Sequence, residues 1–305
     1  MKVGDSRVKV GVTLKMYDYR TYAPKPLADI TRQATHAEEL GYDSVWVMDH
    51  LLIQRGERRV AAHDPLICLA AVASATTRIT IGSLVLCYPF RGTGQLAREA
   101  SALADASGGR FVLGLGSGWH RPEFDALDLP FDHLVSRFEE ALPPLRQLLG
   151  GQHVDFDGRW LRLQDASIAM TSPAPPIWIA ADGPRMMRIA AQAEGWTHAS
   201  WGAGDASAFR AASARLDEAL RGTGREPDSI ERSAAITCVP GGWDPIPGLF
   251  SEAEVETGGV ERLAEVVRGY GEAGADHVIL SLSPDPFAEL DPTLLERSAP
   301  LLKLF

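Results

Sequence analysis

Short apolar runs rich in Val and Ile alternate along the chain with longer segments whose apolar residues recur at helical spacing. That alternation is the signature of successive βα units and a parallel sheet. The predicted strands are Val8 to Leu14, Ser44 to Met48, Ile79 to Leu86, Phe111 to Leu115, Ile177 to Ala180, Trp196 to Ala199, Ser233 to Val239 and His277 to Leu282. Predicted helices fill the gaps: Pro26 to Leu40, Pro65 to Ala75, Gly94 to Ala106, Val135 to Leu149, Arg185 to Ala193, Ala206 to Arg221, Val260 to Ala273 and Pro292 to Leu302. Gly41 and Gly274 stand where a left-handed helix cap is expected. Eight strands, each followed by a helix, predict an α/β fold, a single (β/α)8 TIM barrel over residues 1–305. Such barrels carry their chemistry at the C-terminal ends of the strands. Two stretches are too long for ordinary connections: residues 150–176, with a hairpin-like turn at Asp157 and Gly158, and residues 240–259, crowded with turn formers. Both read as rim insertions, after strands 4 and 7.

Composition narrows the function class. The chain has 305 residues, 45% of them hydrophobic, and a formal net charge of -10. Such an acidic balance argues against nucleic acid or an anionic membrane as partner. The cluster Arg55 to Arg59 is either a solvated loop or a contact for an anionic ligand. Cys68, Cys87 and Cys238 are an odd number without CxxC spacing, which disfavours a disulfide framework or a zinc site and suits a reducing cytoplasm. With no apolar signal core at the N-terminus and no run of 18 apolar residues, a cytoplasmic, membrane-free protein is expected.

The stretch RFVLGLGSGWH, Arg110 to His120, resembles a dinucleotide fingerprint only superficially. Gly114, Gly116 and Gly118 miss the GxGxxG spacing, three strands already precede them, and no acid ends a next strand about 20 residues on. Glycines there would instead let a flat ring system approach the backbone, with Trp119 as a wall. Asp49 and His50 end strand two, where His50 is either a proton-transfer group or a histidine that bonds a loop. Cys87, after strand three, reads as a small buried apolar residue rather than a nucleophile. Gly183 and Pro184 precede a helix, whose open N–H groups suit a phosphate or are simply capped.

With the stretches AEELGYDSVWVMDH, ASGGRFVLGLGSGWHRPEF and PPIWIAADGPRMMRIAAQAEGW in order, the chain resembles the bacterial luciferase-like superfamily of flavin-dependent oxidoreductases, from Val8 to about Leu282. The resemblance implies a barrel holding coenzyme F420, a deazaflavin, or alternatively FMN, with the ring in the mouth and the phosphate at the rim. It implies Asp49 and His50 beside the ring, His50 moving the proton, and a non-proline cis peptide at Leu84–Val85 against the ring. Cys87, Ser117, Gly118 and Trp119 fall at cofactor-contacting positions, and Asp182, Gly183 and Arg185 fall around the phosphate. Three positions depart from the family pattern. FRGT (Phe90 to Thr93) replaces FRHP, Asp182 puts an acid near an anion, and Trp119 stands where sugar-phosphate dehydrogenases carry glutamate. The implied activity is hydride transfer between F420 and a small organic substrate, walled by loops that include Arg55 to Arg59 and Trp243. The alternatives are an FMN monooxygenase fed by a partner flavin reductase, and a binding protein on the same fold. Members are often homodimers, which is the expected assembly.

Overall fold

A computed structural model of the protein describes residues 7–55, 58–201, 205–242, 255–285 and 288–305. Eight parallel strands follow one another: β1 (Lys9–Thr13), β2 (Ser44–Val47), β3 (Thr80–Ser83), β4 (Phe111–Gly116), β5 (Ile177–Ala180), β6 (Gly195–Ser200), β7 (Glu231–Thr237) and β8 (His277–Ser281). Each pairs with its neighbours in sequence, β8 pairs with β1 (Val12 opposite Leu280), and the β4–β5 pair (Trp178 opposite Gly114) leaves no gap. The sheet is therefore a closed barrel. The strands read as unbroken apolar runs because helices cover the outer face while side chains fill the inner one. All six residues of β4 are buried.

Complementary residue sizes fill the barrel. The indoles of Trp46 and Trp178 lie 5.1 Å apart between ring centroids inside it, against the ring of His277. Glycines make room for them: a Cβ on Gly82 would come within 2.3 Å of Trp46, and one on Gly195 within 2.1 Å of Trp178. His277 is buried and shares a 2.7 Å hydrogen bond with Ser44, and burial pulls its imidazole down to about 3.

The helices are α1 (Leu27–Leu40), α2 (Pro65–Ala75), α3 (Thr93–Ala106), α4 (Arg121–Ala126), α5 (Leu134–Leu149), α6 (Pro184–Ala190), α7 (Ser207–Gly222), α8 (Val260–Glu272) and α9 (Leu294–Ser298). Gly41 closes α1 at φ 93°, a conformation that costs a residue with a Cβ. Asp64 caps α2 by accepting from the N–H groups of Leu66 and Ile67, and Pro65 supplies the first helical position.

Several boundaries differ from the sequence reading. The third strand stops at Ser83 and resumes at Leu86–Cys87, with a cis Leu84–Val85 peptide between the two. The last helix ends at Ser298 and tightens into a 3-10 turn through Ala299–Leu304, where Pro300 interrupts the hydrogen-bond ladder. An antiparallel hairpin of Leu52–Arg55 and Arg58–Ala61 follows β2, where only a loop was expected. A second hairpin, Val154–Asp157 with Arg162–Ala166, lies between α5 and β5. Trp243, most of the 240–259 stretch and the side chains of Arg55 to Arg59 lie outside the described residues. Among the described residues, no helix is long and apolar enough to cross a membrane.

Candidate active site

The segments leaving seven of the strands converge at the C-terminal end of the barrel and leave a cavity of about 620 Å³. Met48, Asp49 and His50 enter it from β2, Leu84 to Cys87 from beyond β3, and Gly116 to His120 from β4. Across the mouth stand Ala180 to Asp182, Thr197 to Ala199, Trp201, Ala235, Thr237 and Pro284. Successive side chains of an extended strand point to opposite sides, so Asp49 and His50 do different work.

Asp49 is 4% exposed and turns into the wall. Its Oδ2 accepts from the Cys87 N–H at 2.9 Å and from the Arg91 guanidinium, which also donates to Asp64 at 2.7 Å. Burial pushes the Asp49 carboxyl up, opposed by Arg91 and by the Cys87 N–H. Arg91 is held protonated by Asp49 and Asp64 against the cost of its own burial. Asp49 thus ties the exit of β2 to the exit of β3, and its carboxylate is engaged by protein groups. Cys87 is buried beside it. Burial, with Asp49 and Glu123 behind it, pushes the thiol up, which makes it a poor nucleophile.

His50 takes the other direction. Its Nδ1 lies 3.0 Å from Oε2 of Glu123, a residue of α4 that is 1% exposed. The second oxygen of Glu123 accepts from the N–H groups of Leu51 and Leu52 at 2.6 and 3.0 Å. Burial drives the Glu123 carboxyl up, but the hydrogen bond and charge of His50 and the two N–H groups carry it net below the usual range. A carboxylate at Nδ1 fixes the proton on that nitrogen, and so the tautomer and orientation of the ring. Trp119 and His120 pack edge-on to His50, with ring centroids 5.9 and 6.0 Å away. Trp119 is 72% exposed, so it forms the outer lip of the cavity rather than a closed wall. Glu123 escaped the sequence reading. Its one signal is an acid in the first turn of a helix that opens Arg121–Pro122, shortly after the strand-four turn.

The glycine turn has a packing reason of its own. A Cβ on Gly114 would sit 1.9 Å from the Ser83 carbonyl oxygen, and one on Gly116 would sit 3.0 Å from Val85. At Gly118, with φ 84°, it would meet Cys87 Sγ at 2.7 Å and Phe124 at 2.9 Å. The bare backbone therefore admits the cis-linked segment after β3, which forms one side of the cavity. Ser117 and Gly118 line the cavity as well.

The rim after β5 is looser than the sequence suggested. Asp182 lines the cavity but its carboxylate accepts from Arg215 at 2.5 Å. Arg185, expected near a phosphate, instead donates from Nε to Glu139 at 2.9 Å, because both side chains lie on the exposed outer surface. Gly183 is exposed, and a Cβ there would meet nothing within 4 Å. Neither Gly183 nor Arg185 is among the cavity-lining residues. Deeper in, Thr197 is 3% exposed, lines the cavity, and its hydroxyl has no hydrogen-bond partner among the described residues. Beside it His198 shares a 2.5 Å hydrogen bond with Ser200, and burial, then Arg215, lowers its imidazole against the pull of Asp182.

Comparison with known proteins agrees with this fold. The F420-dependent glucose-6-phosphate dehydrogenase of Amycolatopsis mediterranei is 36% identical over 172 residues, which are 54% of this chain and 51% of that protein. The 5,10-methylenetetrahydromethanopterin reductase of Methanolobus tindarius is 27% identical over 213 residues, 70% of this chain and 61% of that one. The chain thus spans between half and two thirds of these relatives' length. Among solved structures, an F420-dependent secondary alcohol dehydrogenase in complex with an F420-acetone adduct superposes with a TM-score of 0.78. It covers 97% of this chain and 98% of that one at 18% identity, a likeness of fold. The model of the luciferase-like monooxygenase family matches residues 10–242, and it is to this family that the chain belongs.

Proposed function

We propose that the protein is an oxidoreductase that uses coenzyme F420 to move a hydride to or from a small organic substrate, with His50 handling the accompanying proton. The observation that carries the reading is the pairing of His50 with buried Glu123 on the wall of the cavity. The F420 dependence named for the Amycolatopsis mediterranei relative supports the choice of cofactor. The residues present fit such a group. Leu84 and Val85 offer a flat apolar side, and Ser117 and Thr197 offer hydroxyls, that of Thr197 buried without a partner among the described residues. When bound, the deazaflavin supplies or accepts the hydride.

The chain's own residues do the rest. Glu123 holds Nδ1 of His50, and Nε2 would be the ring atom that gives or takes the substrate proton. The Asp49–Arg91 pair keeps the segment from Leu84 to Cys87 in place, where it would back the ring. Trp119 would cover the ring's outer edge, and the exposed backbone at Asp182 and Gly183 would hold the cofactor phosphate. The protein acts as a cytoplasmic homodimer, consistent with Ile67, 61% exposed on the apolar helix α2.

Titration of the purified protein with F420 and with FMN, read by Trp quenching and by cofactor retained on gel filtration, tests the cofactor. Retention of FMN in preference to F420 would replace this reading with an FMN monooxygenase served by a flavin reductase. His50→Ala is expected to slow turnover by about a hundredfold or more, the scale of lost acid–base catalysis, with cofactor affinity within a few-fold of the parent. Undiminished turnover would remove His50 from the mechanism.

A further inference from the structure

Three ionisable side chains meet where the exits of β5 and β6 lie side by side. The ring of His198, on β6, is 11% exposed and lines the cavity. Its Nδ1 lies 2.5 Å from the Ser200 hydroxyl, which is hydrogen-bonded in turn to the hydroxyl of Tyr270 on α8. Its Nε2 lies 3.9 Å from Oδ1 of Asp182, close enough for charge to act and too far for a hydrogen bond. The same Oδ1 accepts from Nη2 of Arg215, on α7, at 2.5 Å. Asp182 lines the cavity itself. It therefore bridges a histidine of the cavity wall to an arginine of the outer helix layer.

The charges of Asp182 and Arg215 cancel, so His198 decides the remainder. Uncharged, the ring leaves the cluster neutral, and protonated, it makes the cluster a monocation. Burial lowers the imidazole, Asp182 pulls the other way, and Arg215 reinforces burial. Among the described residues, the groups around the ring are Asp182 from the β5 exit, Arg215 and Phe209 from α7, and Trp196 and Ser200 from its own strand. An anion arriving beside Asp182 adds a second negative charge, which offsets burial and recruits a proton to Nε2. Arg215 is 44% exposed and gives one N–H to Asp182, and a guanidinium has several more to offer. It can serve a second anion without losing the first. A guanidinium and an imidazolium both form charge-assisted hydrogen bonds to phosphate oxygens.

We infer that Arg215 and His198, bridged by Asp182, bind a phosphate group at the cavity rim. The inference rests on the oxidoreductase reading and adds side chains to the backbone assigned there to the cofactor phosphate. Asp182 alone would repel an anion, and here it holds the two bases together. Binding takes up a proton: water or buffer gives it to Nε2, an N–H bond forms, and no bond to phosphorus is made or broken. The imidazole lies below its ordinary 6.5 without the phosphate and rises with it. Affinity for the phosphate therefore strengthens as the pH falls from 8 toward 6, and levels off once the phosphate-free protein is itself protonated.

Calorimetry on the full-length protein at pH 7, in two buffers of different ionisation enthalpy, counts the protons taken up on binding. The ligands are F420, the same deazaflavin without its phosphate tail, and inorganic phosphate alone. With F420 the parent is expected to take up about a third of a proton or more beyond His198→Gln. The phosphate-free deazaflavin should show no such difference. Arg215→Gln, a change at an exposed position, is expected to weaken the phosphate ligand by about fivefold or more and the phosphate-free one by less than about twofold. Damage to the fold would weaken both ligands alike, so this comparison separates recognition from stability. A His198-dependent uptake with inorganic phosphate and not with F420 supports the site and assigns it to a substrate's phosphate. Equal uptake by parent and His198→Gln with both phosphate ligands overturns the inference, as does affinity for both that Arg215→Gln leaves unmoved. Failure to bind F420 counts against the cofactor reading alone, since inorganic phosphate still tests Arg215 and His198.

Discussion

At the scale of single residues, the site turns on partners that the linear order conceals. His50 was legible as a rim residue because it closes a strand, but its partner Glu123 comes from a helix 73 positions on. Glu123→Gln keeps the shape and removes the charge that fixes the imidazole. Turnover is expected to fall by about 10- to 100-fold, with the pH dependence of kcat displaced, while F420 affinity stays near the parent's. An unchanged pH profile would show that Glu123 only braces Leu51 and Leu52. Asp49 was legible in position and not in role, since nothing in VWVMDH announces Arg91. The lone hydroxyl of Thr197 makes a second prediction. Thr197→Val removes a buried polar atom without a partner, so the cofactor-free protein should melt no lower than the parent. Cofactor or substrate affinity should drop by about three- to tenfold, for loss of one hydrogen bond. A lower melting temperature with unchanged affinity would give the hydroxyl a structural role.

At the scale of elements, the strands and helices followed from periodicity, and their breaks did not. The apolar run Ile79 to Leu86 carries no mark of the cis bond at Leu84–Val85, which the family resemblance alone anticipated. The glycine turn was read correctly as a place that needs bare backbone, yet the neighbours that require it, Ser83, Val85, Cys87 and Phe124, belong to other elements. Gly118→Ala should cost about 1–3 kcal/mol of stability, from left-handed strain together with contact on Cys87 and Phe124. Gly183→Ala meets open space at φ -72° and should leave the melting temperature unchanged. If Gly118→Ala proved as harmless as Gly183→Ala, the packing account of the turn would be wrong. The hairpin after β2 was missed because its short strands lie in a polar, Arg-rich segment without strict alternation.

At the scale of the whole molecule, closure of the barrel buries groups whose ionisation then reports on folding. His277 titrates near 3 in the folded protein against an ordinary 6.5, so between those values the unfolded chain holds a proton that the folded chain does not. Its contribution is complete above about pH 6.5 and is lost as the pH falls toward 3, with a slope of up to about 1.4 kcal/mol per unit. Urea midpoints at pH 7.5, 6 and 5 should fall more steeply for the parent than for His277→Gln, and parallel curves would contradict the buried-histidine account. The sequence by itself determined the architecture and the residues at each strand exit, because burial on both faces of a parallel sheet writes its period directly into the chain. Which of those residues meet was decided only by the tertiary structure. Glu123 beside His50, Arg91 beside Asp49 and Arg185 turned away to Glu139 depend on how the barrel's curvature brings separate loops together, and hydrophobic period carries no record of those distances.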